Sequence, residues 1–143
     1  MKRIAASAAV ALVAVTALSA CSGQSDYCAA VEDNTETLNT FGKTRTDEAY
    51  TTYAETFRTV AKSAPEDVRE DWTALAETTE GVLAAQEEVG LALEDMKDED
   101  AVADLSEDQL ATLNTAYEAF NDTTEQRDAV VKHVKTECEI TLT

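Results

Sequence analysis

The sequence predicts an all-α fold, an antiparallel up-down-up-down helical bundle in which two short helices precede a long helical hairpin. Three observations predict it. Apolar residues recur at alternating steps of three and four from Cys28 to Cys138, the spacing that lines one face of an α-helix. One proline and four glycines in the whole chain leave little of the punctuation that many short strands require. The stretches between the patterns are short, which favours antiparallel neighbours.

The first pattern is Cys28, Val31, Thr35 and Leu38, and it ends at Phe41-Gly42, where glycine suits a helix terminus. Thr46 or Asp47 caps a second helix with the stripe Tyr50, Tyr53, Phe57, Val60 and Ala64. Pro65 stops that helix and suits the first turn of the next. The third pattern is Val68, Trp72, Leu75, Thr79, Val82, Gln86, Val89, Leu93 and Met96, a coiled-coil-like seam of about 30 residues. A turn over Lys97–Asp104 follows. Ser106 with Gln109 forms a capping box, and Leu105 with Leu110 forms the matching hydrophobic staple. The fourth pattern then runs unbroken through Leu110, Leu113, Tyr117, Phe120, Thr124, Arg127, Val131, Val134 and Cys138. At 1.5 Å per residue the last two helices each span about 45 Å and the first two about half that. Part of the hairpin is therefore expected to project as a two-helix arm, unless it bends at Gly81 or Gly90 and folds back.

Ahead of the bundle, Lys2 and Arg3 precede an apolar stretch from Ile4 to Leu18, shorter than the roughly 20 apolar residues of a membrane-crossing helix. The stretch closes on Leu18-Ser19-Ala20-Cys21. This segment resembles the lipobox of a bacterial lipoprotein precursor. The resemblance implies that Cys21 receives a diacylglyceryl thioether and becomes the N-terminus after cleavage. It carries no catalytic activity with it. The expected organisation is a signal peptide over 1–20, the lipidated cysteine and a short tether over 21–26, and a bundle domain over 27–143. With its Ala/Thr/Asp/Glu-rich composition and spaced cysteine pair, the chain resembles small helical lipoproteins of high-GC Gram-positive bacteria, which implies the outer face of a cytoplasmic membrane as its address.

Charge narrows the partners further. The full chain carries 11 Lys and Arg against 29 Asp and Glu; loss of Lys2 and Arg3 with the signal leaves a net −20. Such a surface repels phosphate backbones, so nucleic acid is excluded as a partner. Membrane contact must come from acyl chains, because no basic patch is available to hold anionic lipid.

Cys28 opens the first helix and Cys138 closes the fourth, each on its apolar stripe, and an up-down-up-down order brings these two positions to one end. An exported protein meets oxidising surroundings, so a Cys28–Cys138 disulfide is the expected outcome, with two buried thiols as its alternative. The two long seams also contain polar residues. A hairpin turning near residues 101–102 sets Thr79 opposite Thr124 and Gln86 opposite Tyr117, with Arg127 nearby, a buried polar layer that must be hydrogen-bonded within itself. Such a layer fixes register, with a polar ligand site as the sharper reading.

No catalytic group is expected. His133 is the only histidine, and Glu137 four residues on makes a surface pair with it. Glu94, Asp95, Asp98, Glu99, Asp100, Asp104, Glu107 and Asp108 crowd one turn but lack the glycine and ligand spacing of an EF-hand, so no metal or other cofactor is expected. Tyr50, Tyr53, Phe57, Trp72, Tyr117 and Phe120 fall at core spacing, with a ligand cavity as the alternative. The expected function is that of a membrane-anchored, non-enzymatic interaction module with a protein partner at the envelope. The alternative is a ligand- or metal-binding lipoprotein that delivers a solute to a membrane partner.

Overall fold

A computed structural model describes residues 25–143; the lipobox segment with Cys21, the signal peptide and most of the tether lie outside the described residues. Among the described residues every regular element is helical: α1 Asp26–Asp33, α2 Thr35–Thr40, α3 Asp47–Ser63, α4 Glu66–Val89, a 3-10 turn over Leu93–Lys97, α5 Glu99–Ala103, α6 Glu107–Asn121 and α7 Thr124–Cys138. None of these helices is long and apolar enough to cross a membrane.

The helices run up, down, up and down, as their cross-contacts require. Phe57 of α3 packs on Trp72 of α4, and the start of α3 meets the residues beyond the end of α4, where Asp47 Oδ1 accepts from the Leu93 amide at 3.0 Å. Gln86 of α4 faces Tyr117 of α6, and Asp67, at the start of α4, faces His133 near the end of α7. The bundle class and its strand-free composition thus follow the sequence reading. Its long elements do not.

Three of the four patterns, all but the second, are interrupted by a local group that competes with the helix. The first breaks at Asn34, whose Nδ2 donates to the Ala30 carbonyl at 2.7 Å, the kind of side-chain bond that disfavours continued helix. Its start also takes residues from the expected tether, because Ser25 is the N-cap of α1 and its hydroxyl accepts from the Cys28 amide. The third pattern stops at Val89. Gly90 adopts a left-handed φ of 72°, the Leu91 amide reaches the Gln86 carbonyl and the Gly90 amide reaches Glu87, a Schellman ending. Leu93 and Met96 therefore sit on the 3-10 turn and not on the α4 seam. Gly81, by contrast, stays helical, and a Cβ built on it meets nothing.

The fourth pattern breaks between α6 and α7. Thr123 is 5% exposed, and its hydroxyl donates back to the Phe120 carbonyl at 2.7 Å. That break slips the buried stripe by one position. Thr123 and Val130 (3% exposed) face inward where Thr124 and Val131 were expected, and Val131 is 40% exposed. Val134 then returns to the core. The capping box at Ser106 and Gln109 forms as expected, and Gln109 Nε2 also donates to the Val89 carbonyl, tying the start of α6 to the end of α4.

No bare two-helix arm projects. The start of α3 reaches the far end, where the Asp47 amide donates to Glu94 at 3.1 Å, and the 3-10 turn and α5 cap the remaining opening. Cys28 and Cys138 are disulfide-bonded at the opposite end, with Cα atoms 5.2 Å apart, within the range such a bridge requires. After Cys138 the chain reverses at Glu139, in the left-handed region at φ 58°, and the Thr143 amide reaches Asn39 at 2.7 Å.

Candidate functional site

Of the expected polar layer, one pair forms. Gln86, 2% exposed, donates through Nε2 to the Tyr117 hydroxyl at 2.8 Å, at the register predicted for a hairpin turning near residue 101. Burial raises the Tyr117 phenol above its ordinary value, with the Gln86 bond opposing, so the hydroxyl is neutral near pH 7. The Thr79–Thr124 pair does not form. Thr79 is fully buried but satisfies itself by donating to the Leu75 carbonyl at 2.7 Å, while the slip at Thr123 turns Thr124 to the surface. A threonine hydroxyl in a helix reaches the carbonyl one turn back, so it needs no partner across the interface.

Arg127 serves a different purpose from the one expected of a layer residue. Its guanidinium lies 5.3 Å from the Phe120 ring centre and donates to the Phe120 and Asn121 carbonyls and to the Thr123 hydroxyl. These carbonyls belong to the last two residues of α6, so Arg127, together with Thr123, caps the helix that the slip ended. Its third nitrogen, Nη1, makes no hydrogen bond, and no carboxylate of the described residues lies within ion-pair distance.

Two concave regions flank α7. The first is an open groove between the start of α4 and the end of α7, lined by Asp67, Asp71, Lys132, His133 and Glu137. His133 pairs with Asp67 at 3.6 Å and not with Glu137, and its ring packs edge-on against Tyr27 at 5.5 Å. The His133 side chain is 17% exposed. Behind it the Trp72 indole donates to the Tyr27 hydroxyl at 3.2 Å; burial above all raises that phenol, with Asp67 and Glu137 adding to the rise. Asp71 is also raised, first by burial and then by neighbouring Glu70. Tyr27 was invisible in the sequence pattern, because it sits beside the Cys28 stripe rather than on it.

The second region is an apolar cavity of about 140 Å³ between α2 and α7, floored by Phe57, Trp72 and Leu75. The aromatic residues thus divide between the two readings given to them: Tyr50, Tyr53 and Phe120 fill the core, while Phe57 and Trp72 belong both to the core and to the cavity wall. The acidic turn is dispersed. Glu94 binds the Asp47 amide, Asp98 caps α5 through the amides of Asp100 and Ala101, and no three His, Cys, Asp or Glu side chains among the described residues gather as metal ligands. Comparison with known proteins finds no matching family model, no matching curated protein and no matching solved structure.

Proposed function

We propose that the protein is a lipid-anchored, non-enzymatic helical binding module held on the extracytoplasmic face of a membrane. The observation that carries this reading is the Cys28–Cys138 disulfide. A bridge of this kind persists in oxidising compartments, which is where a Leu18–Cys21 signal would deliver the chain. Cys28 follows Cys21 by seven residues, so the bonded end would stand next to the lipid and the α5 end farthest from it. The acidic surface then faces solvent and a protein partner of the envelope.

A second reading, binding of a small ligand, draws on the cavity beside Trp72. It shares the anchor with the first.

Cys21→Ala is expected to move the protein from the membrane fraction to the soluble fraction, because stable anchoring needs two or more acyl chains and a net −20 surface offers no substitute. Mass spectrometry of the N-terminal peptide reads the modification directly. An unmodified Cys21 in the mature protein, or membrane retention of Cys21→Ala, overturns the anchored reading.

A further inference from the structure

The cavity between α2 and α7 has three properties that together select a ligand. Its size is the first. At about 140 Å³ it has room for a benzene-sized guest. Its walls are the second. Phe41 meets Phe57 edge-on at 4.8 Å and Phe57 meets Trp72 at 5.9 Å, so one side of the lining is a continuous aromatic wall against which a guest ring can pack.

Charge is the third. Among the described lining residues, which include the backbone of Thr143, Arg127 has the only charged side chain, and its Nη1 is the one nitrogen of the guanidinium that the α6 carbonyls and Thr123 leave unused. Guanidinium has donors and no acceptors, so its natural complement is an acceptor-only ionised group. A way in also exists. Val131, the large hydrophobic most exposed among the described residues, lines the cavity, as does Leu142, which lies on a segment that turns at left-handed Glu139.

We propose that this cavity binds a single-ring aromatic carboxylate, with the ring against the wall of Phe41, Phe57 and Trp72 and the carboxylate on Arg127 Nη1. The inference rests on the ligand-binding reading above and is independent of the anchor. The capping bonds already hold the guanidinium in place, so the ligand meets a positioned donor. Displacement of Leu142, pivoting at Glu139, would admit it.

The test is a fluorescence titration of the full-length protein in phosphatidylcholine vesicles, where Trp72 is the only indole. Failure of the anchor shows separately, as protein that does not sediment with the vesicles, and the same titration in buffer then reads the site alone. Phenylacetate should change Trp72 emission saturably and bind about tenfold more tightly than the uncharged 2-phenylethanol, the worth of one charge-assisted hydrogen bond. Arg127→Gln should bring that ratio close to one while leaving 2-phenylethanol binding in place. Val130→Phe, which fills the cavity, should abolish both. If Val130→Phe does not fold, nuclear Overhauser contacts between the phenylacetate ring and Phe57 or Leu75 in the unaltered protein locate the ligand instead. Absence of saturation up to about 10 mM phenylacetate, equal affinity for acid and alcohol, or a preference retained in Arg127→Gln overturns the proposal.

Discussion

At the disulfide end, Tyr27, Trp72, Val68 and Val134 belong to a large core rich in rings, crossed by a covalent bond. At the opposite end a separate core of Ala85, Val89, Leu91 and Leu113 is covered by half-buried Met96, Ala101, Val102 and Leu105, with Tyr117 as the ring that joins it. The first core draws on α1, α2, α3, α4, α6 and α7 together, with Leu93 from the 3-10 turn. The second depends on two short elements, the 3-10 turn and α5, each of five residues and too short to hold a helix without tertiary support. The difference teaches that one cooperative bundle carries two unequal reserves of stability. The end the chain bonds together holds Tyr27 and Trp72, and the buried rings continue from there through Phe57 to Tyr53, Tyr50 and Phe120.

The largest expected effect tests the covalent half of that asymmetry. The bridge closes a separation of 110 residues, for which the chain-entropy estimate is about 4.7 kcal/mol. Cys28→Ser with Cys138→Ser should lose most of that in urea denaturation, and hydrogen exchange should find α1 opening first, because it is eight residues long and is the element the bridge pins to α7. A loss below about 1 kcal/mol would mean that packing, and not the bond, holds that end.

Next in size is Leu113→Ala in the small core. Removing a buried leucine costs about 2–5 kcal/mol, and the low end is expected here because the thin cover of Met96 and Leu105 can collapse into the space. Amide exchange in α5 and the first turn of α6 should quicken while the Trp72 fluorescence midpoint moves less. Equal shifts by both probes would show the two cores to be one.

The smallest effect concerns charge at the disulfide end. Burial and Glu70 raise the Asp71 carboxyl above its unfolded value, so its contribution is favourable below the ordinary carboxylate range and is lost as pH rises through the raised folded value. Asp71→Asn should therefore stabilise the protein at pH 7, by less than about 1 kcal/mol, and leave stability at pH 3 unchanged. Urea midpoints at the two pH values check it. A destabilised variant at pH 7 would mean that Asp71 holds a favourable interaction within the α4–α7 groove.

Much of the fold was legible because its signals are local. Thr46, Ser106 with Gln109, and Pro65 mark helix starts through bonds or steric limits within a turn of themselves, and each stands where the pattern placed it. The Cys28–Cys138 bridge and the Gln86–Tyr117 bond were legible for a second reason: both follow from antiparallel register, which a short connection nearly fixes. What misled was periodicity. A step of three or four continues to look helical across a bend, so the sequence joined Leu93 and Met96 to α4 and carried Thr124 and Val131 onto a seam they do not share.

The sequence by itself determined the helical class, the order of the elements, the chain ends that meet in a disulfide and the acidic surface, because propensity, capping and charge are properties of neighbouring residues. Only the tertiary structure decided where the long helices stop, which residues face inward beyond Thr123, and that Arg127 caps α6 beside an apolar cavity. Those outcomes rest on competition between a helix continuing its own hydrogen bonds and side chains meeting partners far away in the chain. Such a contest is settled by packing, and packing is not written in any one segment.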